Sequence, residues 1–322
     1  MRVWSRLALL FASSVLCVAT AMAQGFPSKP VRIVVPFSPG GTADVMARLI
    51  GQKMTEALGQ PVLVENRPGG GTVIGTEYTA RAPADGHTML LMANSFTINP
   101  AVRTKLPYDP QKDFAPVTML VKSPQVLVVG PTTQVKTLAE FVALVKSRPG
   151  KMSLATVGPA TTQHIGSEML KGALKLEMIY VPYPGGAPAA GALAGGHVDA
   201  VLANYSEVAQ HIQSGKARAI AVTSLERMDT LKDVPTVSES GYPDFEAAAW
   251  FGLVVTGGSP PAAIARLNAE ANKALMQPDV REKLIAQAMY PVGTTPGEFD
   301  AHIRSEMGKY AKIIKDAGIK VD

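Results

Sequence analysis

The residues best suited to chemistry in this chain fall in four glycine- and hydroxyl-rich corners. The first is Phe37-Ser38-Pro39-Gly40-Gly41-Thr42-Ala43-Asp44. Its paired glycines let backbone approach a ligand closely, and Ser38 and Thr42 add hydroxyls. Asp44 is read in two ways: as a first-turn carboxylate set against a helix N-terminus, or as an acceptor for a ligand hydroxyl or ammonium. The second corner is Val157-Gly158-Pro159-Ala160-Thr161-Thr162-Gln163-His164. There Thr161 or Thr162 caps a helix or faces a cleft, and His164 is a base or, one turn in, a packing residue. The third is Pro182-Tyr183-Pro184-Gly185-Gly186-Ala187, where Tyr183 either covers an apolar part of a ligand or serves as a hinge or core residue. The fourth is a strand end at Asn204-Tyr205, where Asn204 donates to a carboxylate or is an ordinary turn residue. Corners of this type, opening onto helix N-termini, expose unpaired N–H groups and hold anions without an arginine.

Other chemistries lack support. Gly69-Gly70-Gly71-Thr72 misses the Gly-Lys-Ser/Thr ending of a phosphate-binding loop, and no Gly-x-Gly-x-x-Gly follows the first strand. The five histidines (His87, His164, His197, His211 and His302) are isolated, with no His-Glu-x-x-His, so no metal and no cofactor is expected. No Gly-x-Ser-x-Gly elbow marks a hydrolase, and no catalytic residue is assigned. A secreted hydrolase with a triad assembled in space is the remote alternative.

The elements that must carry these corners follow a strand–glycine loop–helix–strand rhythm. Strands are expected at 31–37, 62–65 and 88–93, with a helix over 43–58 whose Met46, Ile50, Met54 and Ala57 form one stripe. The rhythm restarts with strands at 125–130, 152–156, 178–181, 198–203 and 217–222, and helices at 138–146, from about 163 and near 188–193. A late strand at 251–255 precedes a helical tail with Phe299, Ile303, Met307, Tyr310 and Ile314 on one face. The pattern predicts α/β structure with parallel sheets covered on both faces. So many units imply two lobes and a cleft: 24–124 with 236–322 in the first, and 125–235 in the second.

Residues 1–23 read as a cleaved signal peptide: Arg2 and Arg6, an apolar run over 7–20, then Ala21-Met22-Ala23. Cys17, the only cysteine, falls within it, so the mature chain has no disulfide to form. Without Arg2 and Arg6 the formal charge drops from +5 to about +3. The basic residues are scattered, which argues against nucleic acid as a partner. Export without disulfides suggests a periplasmic location.

Several stretches together resemble the tripartite tricarboxylate transporter receptor family, also called the Bug family of periplasmic solute-binding proteins. They are the first corner with its helix start through Arg48, Glu65-Asn66-Arg67-Pro68-Gly69-Gly70-Gly71, Pro83-Ala84-Asp85-Gly86-His87-Thr88, Val181 to Ala189, Asp233 to Gly241, and Trp250-Phe251-Gly252. The resemblance implies a two-lobed, type 2-like clamshell fold with hinge strands crossing between lobes. It implies capture of a small carboxylated solute for integral membrane permease subunits. The carboxylate would lie on Ser38, Gly40, Gly41 and Thr42, with Asp44 matching the family aspartate. Gly158, Thr161 and Thr162 match the second-lobe loop, and Asn204 a polar cleft position. Two departures stand out: the family often has Gly at Ala160 and Asp at Ala192. A sensing module presenting the closed form to a sensor kinase is the alternative to transport. The ligand-binding set expected is Phe37, Ser38, Gly40, Gly41, Thr42, Asp44, Gly158, Thr161, Thr162, Tyr183 and Asn204, on a monomer.

Overall fold

The β-branched run Val31–Val35 forms strand β1, and Gly40 and Gly41 turn it into helix α1, Thr42–Leu58. Met46, Ile50 and Met54 of the predicted stripe are buried on the sheet, whereas Ala57 is not. The computed structural model describes residues 25–158 and 160–317, so the signal-peptide reading and Pro159 lie outside the described residues. Further along come β2 (Val62–Asn66), α2 (Val73–Ala80), β3 (Thr88–Ala93) and α3 (Ser95–Val102). Strand β4, Phe114–Val129, is sixteen residues long. After it come α4 (Leu138–Ser147), β5 (Ser153–Thr156), α5 (Thr162–Leu174), β6 (Ile179–Pro182), α6 (Gly186–Ala194), β7 (Ala200–Asn204), α7 (Tyr205–Gln213) and β8 (Arg218–Val222). The chain ends through β9 (Ala248–Thr256), α8 (Pro261–Leu275), α9 (Pro278–Ala286), β10 (Tyr290–Pro291) and α10 (Pro296–Ala317).

The main path of strands is β2-β1-β3-β9-β4-β7-β5-β6. The parallel sheet expected from the sequence is found within each lobe, where β1 pairs β2 and β3, and β5 pairs β6 and β7. The whole is mixed, because β9 runs antiparallel to both β3 and β4. Strand β4 is the joint. Its first part, 114–124, pairs β9, and its last part, 125–129, pairs β7 and β8. In the second part the side chains alternate as a strand requires: Leu127 and Val129 enter one core, Val126 and Val128 the other.

A second crossing lies beside the first. Thr223 Oγ1 donates to the carbonyl of Ala247, and Ala247 N donates to Thr223 O at 3.0 Å. Val237, Phe245 and Ala247 pack in the second-lobe core. The chain thus keeps packing in that core as far as Ala247, and Ala249 enters the core around β1 and β3. The stripe of α10 is partitioned: Phe299 and Ile303 pack on the first lobe, and Tyr310 and Ile314 join Ile98, Val102, Ala160 and Ile165. That last cluster draws on both lobes, which accounts for an alanine at 160: its methyl fills an apolar contact there.

Candidate binding cleft

The first corner is held from behind by Asp44. Its Oδ2 accepts from Gly40 N at 3.0 Å and Arg48 Nε at 3.1 Å, and its Oδ1 accepts from Arg48 Nη2 and Asn66 Nδ2, each at 2.9 Å. Burial alone would raise this carboxyl. Hydrogen bonds from Arg48, Gly40 and Asn66, with the Arg48 charge, hold it below its ordinary value. Asn66 also donates to Phe37 O at 3.2 Å. The backbone at Gly40 has φ +83°, a conformation that favours glycine. Asp44 thus shapes the corner that a ligand would meet.

The front of that corner opens on a cavity of about 370 Å3. The helix starts of α1, α5 and α6, with the N-cap of α7, all reach its wall: Gly41 and Thr42, Thr161 and Thr162, Gly185 and Gly186, and Asn204. Each brings the unpaired N–H groups and the positive end of a helix dipole. Thr161 is the cap of α5; its Oγ1 accepts from His164 N at 3.3 Å and donates to Gly158 O at 2.7 Å. Among the described residues lining the cavity no lysine, arginine or histidine is found, and Glu207 is the only ionisable one.

The two lobes meet across this space. Thr42 Oγ1 and Ser206 Oγ are 2.6 Å apart, Asn204 Nδ2 donates to Thr42 Oγ1 at 3.4 Å, and Ser38 Oγ donates to Pro184 O at 3.4 Å. Of the expected residues, Phe37, Ser38, Gly41, Thr42, Thr161, Thr162 and Asn204 line the cavity. Gly40 and Asp44 sit behind it, Gly158 lies beneath the α5 start, and Tyr183 packs on a second-lobe core. His164 follows the packing reading: its Nδ1 is 3.1 Å from Thr156 Oγ1 and its ring 4.5 Å from that of Tyr180. Burial lowers its pKa. Ala192 packs on the core around α6 and does not line the cavity.

Several lining residues were absent from the expected set: Gly69, Gly71, Thr72, Ser95, Gln163, Phe251 and above all Glu207. The Gly69-Gly70-Gly71-Thr72 turn has four successive positive φ angles, and Asn99 and Arg103 bind its carbonyls at 2.9 Å each. Asn204-Tyr205-Ser206-Glu207 has the spacing of a capping box, and Glu207 Oε2 accepts from Asn204 N at 3.2 Å. That spacing was the available signal for Glu207.

Residues 46–319 match the family described as tripartite tricarboxylate transporter family receptor. The chain belongs to that family. A curated relative of this receptor, the protein BugT of Bordetella pertussis, is 36% identical over 97% of this chain and 96% of its own. Two solved structures from Rhodopseudomonas palustris share the fold. One, with adipate, has a TM-score of 0.89 at 31% identity and covers 92% of this chain and 99% of that one. The other, MatC with bound malate, has a TM-score of 0.85 at 32% identity and covers 90% and 100%. This receptor therefore has the α/β fold of periplasmic solute-binding proteins, and its relatives are receptors. No helix among the described residues is long and apolar enough to cross a membrane.

Proposed function

We propose that this receptor is exported to the periplasm, captures a small organic acid between its lobes and delivers it to integral membrane permease subunits. The observation that carries this reading is the convergence of four helix starts from both lobes on one cavity, with no cationic side chain among the described residues of its wall. Main-chain N–H groups and hydroxyls are then the donors for a carboxylate. Hydrogen bonds to a charged group are worth about 1.5–3 kcal/mol each. Gly41, Thr42 and Ser38 hold the acid from the first lobe; Thr161, Thr162 and Asn204 engage it from the second.

A cavity of this size suits a ligand of a few carbons. The acids in the two R. palustris structures, adipate and malate, are of that kind. The test is calorimetry on ligand-stripped protein with di- and tricarboxylates, amino acids and aromatic acids. Saturable binding of at least one acid is expected. A folded protein that binds none of them would overturn the reading.

A further inference from the structure

Glu207 does not fit a cavity built only for anions. It projects from the first turn of α7 into the second-lobe wall, where each other polar side chain is a neutral hydroxyl or amide. One of its oxygens is structural, because Oε2 accepts from Asn204 N at 3.2 Å and completes the α7 cap. The other, Oε1, is 3.4 Å from Thr42 Oγ1 and 3.5 Å from Asn204 Nδ2, and the Gln163 amide also hydrogen-bonds to the carboxylate. Around it stand Thr42 of α1, Gln163 of α5, the backbone of Gly186 in α6, and Asn204 and Ser206 of its own segment. Among the described residues, none of these groups is charged or titratable.

A capping carboxylate does not need a place in a ligand cavity, and the partners of Oε1 are all neutral. Two carboxylates in one water-poor cleft repel each other, and one of them must then take up a proton. A cation beside Glu207 removes that conflict. Building on the carboxylate reading above, we propose that Glu207 selects acids that also carry an ammonium group. The ligand carboxylate lies on the Gly41-Thr42 corner, and the ammonium N–H groups donate to Glu207 Oε1. Burial pushes the Glu207 carboxyl upward, against hydrogen bonds from Asn204, Gln163 and Thr42, none of which carries a charge. The ligand's ammonium supplies the charge that the protein omits. This selectivity sets the chain apart from the receptors solved with adipate and malate, neither of which contains nitrogen.

The test compares acids that differ only by the amino group: glutamate with glutarate, and γ-aminobutyrate with butyrate. By calorimetry, the wild-type protein should bind the amino member roughly 10- to 100-fold more tightly, the worth of one charge-assisted hydrogen bond. Glu207→Gln retains an acceptor for Asn204 N, and should bring each pair level without lowering the melting temperature. A second readout needs no variant. In buffers of different ionisation enthalpy, glutarate should bind with proton uptake and glutamate without it. Equal affinities within the pairs, tighter binding of the parent acid, or a preference that survives Glu207→Gln would overturn the inference and leave the carboxylate reading standing. Failure of all four acids and the wider panel to bind would remove both.

Discussion

Asp44 and Gly186 act at the scale of single residues, and each does so by what it excludes. All four donors to Asp44 lie behind the ligand corner, so its charge is spent on the backbone of Gly40 and on Arg48 and Asn66. Its folded pKa lies below the ordinary 3.8, so its stabilisation is present above that value and is lost as pH falls through the folded pKa. The melting temperature of Asp44→Asn should accordingly fall below wild type at neutral pH and converge with it as pH drops beneath 3.8 in a thermal-melt series. A constant difference across that range would show that Asp44 acts by packing alone. At Gly186, an added Cβ would land on the Glu207 carboxyl. Gly186→Ala should displace Glu207 and weaken binding of an ammonium-bearing acid such as glutamate by about 1.5–3 kcal/mol, the worth of a hydrogen bond to a charged group, measurable by calorimetry. The glycine corners are legible in the sequence because glycine, proline and hydroxyl residues cluster there. Glu207 is not, because a carboxylate three residues after a cap looks structural until its helix start is seen facing a cavity.

Elements matter here mainly through where helices begin. Thr161 caps α5 and also lines the cavity, so Thr161→Ala should cost about 1 kcal/mol of stability in denaturant unfolding. It should weaken acid binding as well; loss of stability with unchanged affinity would restrict Thr161 to capping. Strand positions are well indicated by apolar runs, β-branched in β1 and rich in Leu and Met in β3, which spans the expected 88–93. The first part of β4, 114–124, is not so indicated, because Pro116, Ser123 and Pro124 interrupt its apolar pattern, and its register against β9 shifts between Pro116 and Thr118 and again between Met119 and Val121. The mixed sheet is equally hidden: a strand's direction depends on which neighbour it pairs with, and β9 pairs with segments more than a hundred residues earlier. Helix α7 is masked in the sequence as a strand end because Asn204 closes β7 and caps α7 at once.

At the scale of the whole molecule, β4 runs through both lobes, whose main cores are distinct but meet in one apolar cluster of Ile98, Val102, Ala160, Ile165, Tyr310 and Ile314. At the cavity itself the contact between lobes is polar, and Thr42 is the centre of it. Its hydroxyl meets Ser206, Asn204 and Glu207, all from the second lobe. Thr42→Val keeps the branched shape and removes those bonds together with the hydroxyl that faces the cavity. Thr42 is buried, and the groups it leaves across the cleft can regain water only if the lobes part. The substitution should therefore favour an open arrangement, since a contact present only in the closed form shifts the balance by its own free energy. Acid affinity should fall roughly tenfold, the equivalent of about 1.4 kcal/mol, with little change in melting temperature. X-ray scattering at saturating acid should still show the compaction of the wild type, with more acid needed to reach it. An unchanged affinity would mean that the Thr42 hydroxyl holds neither the lobes nor the ligand.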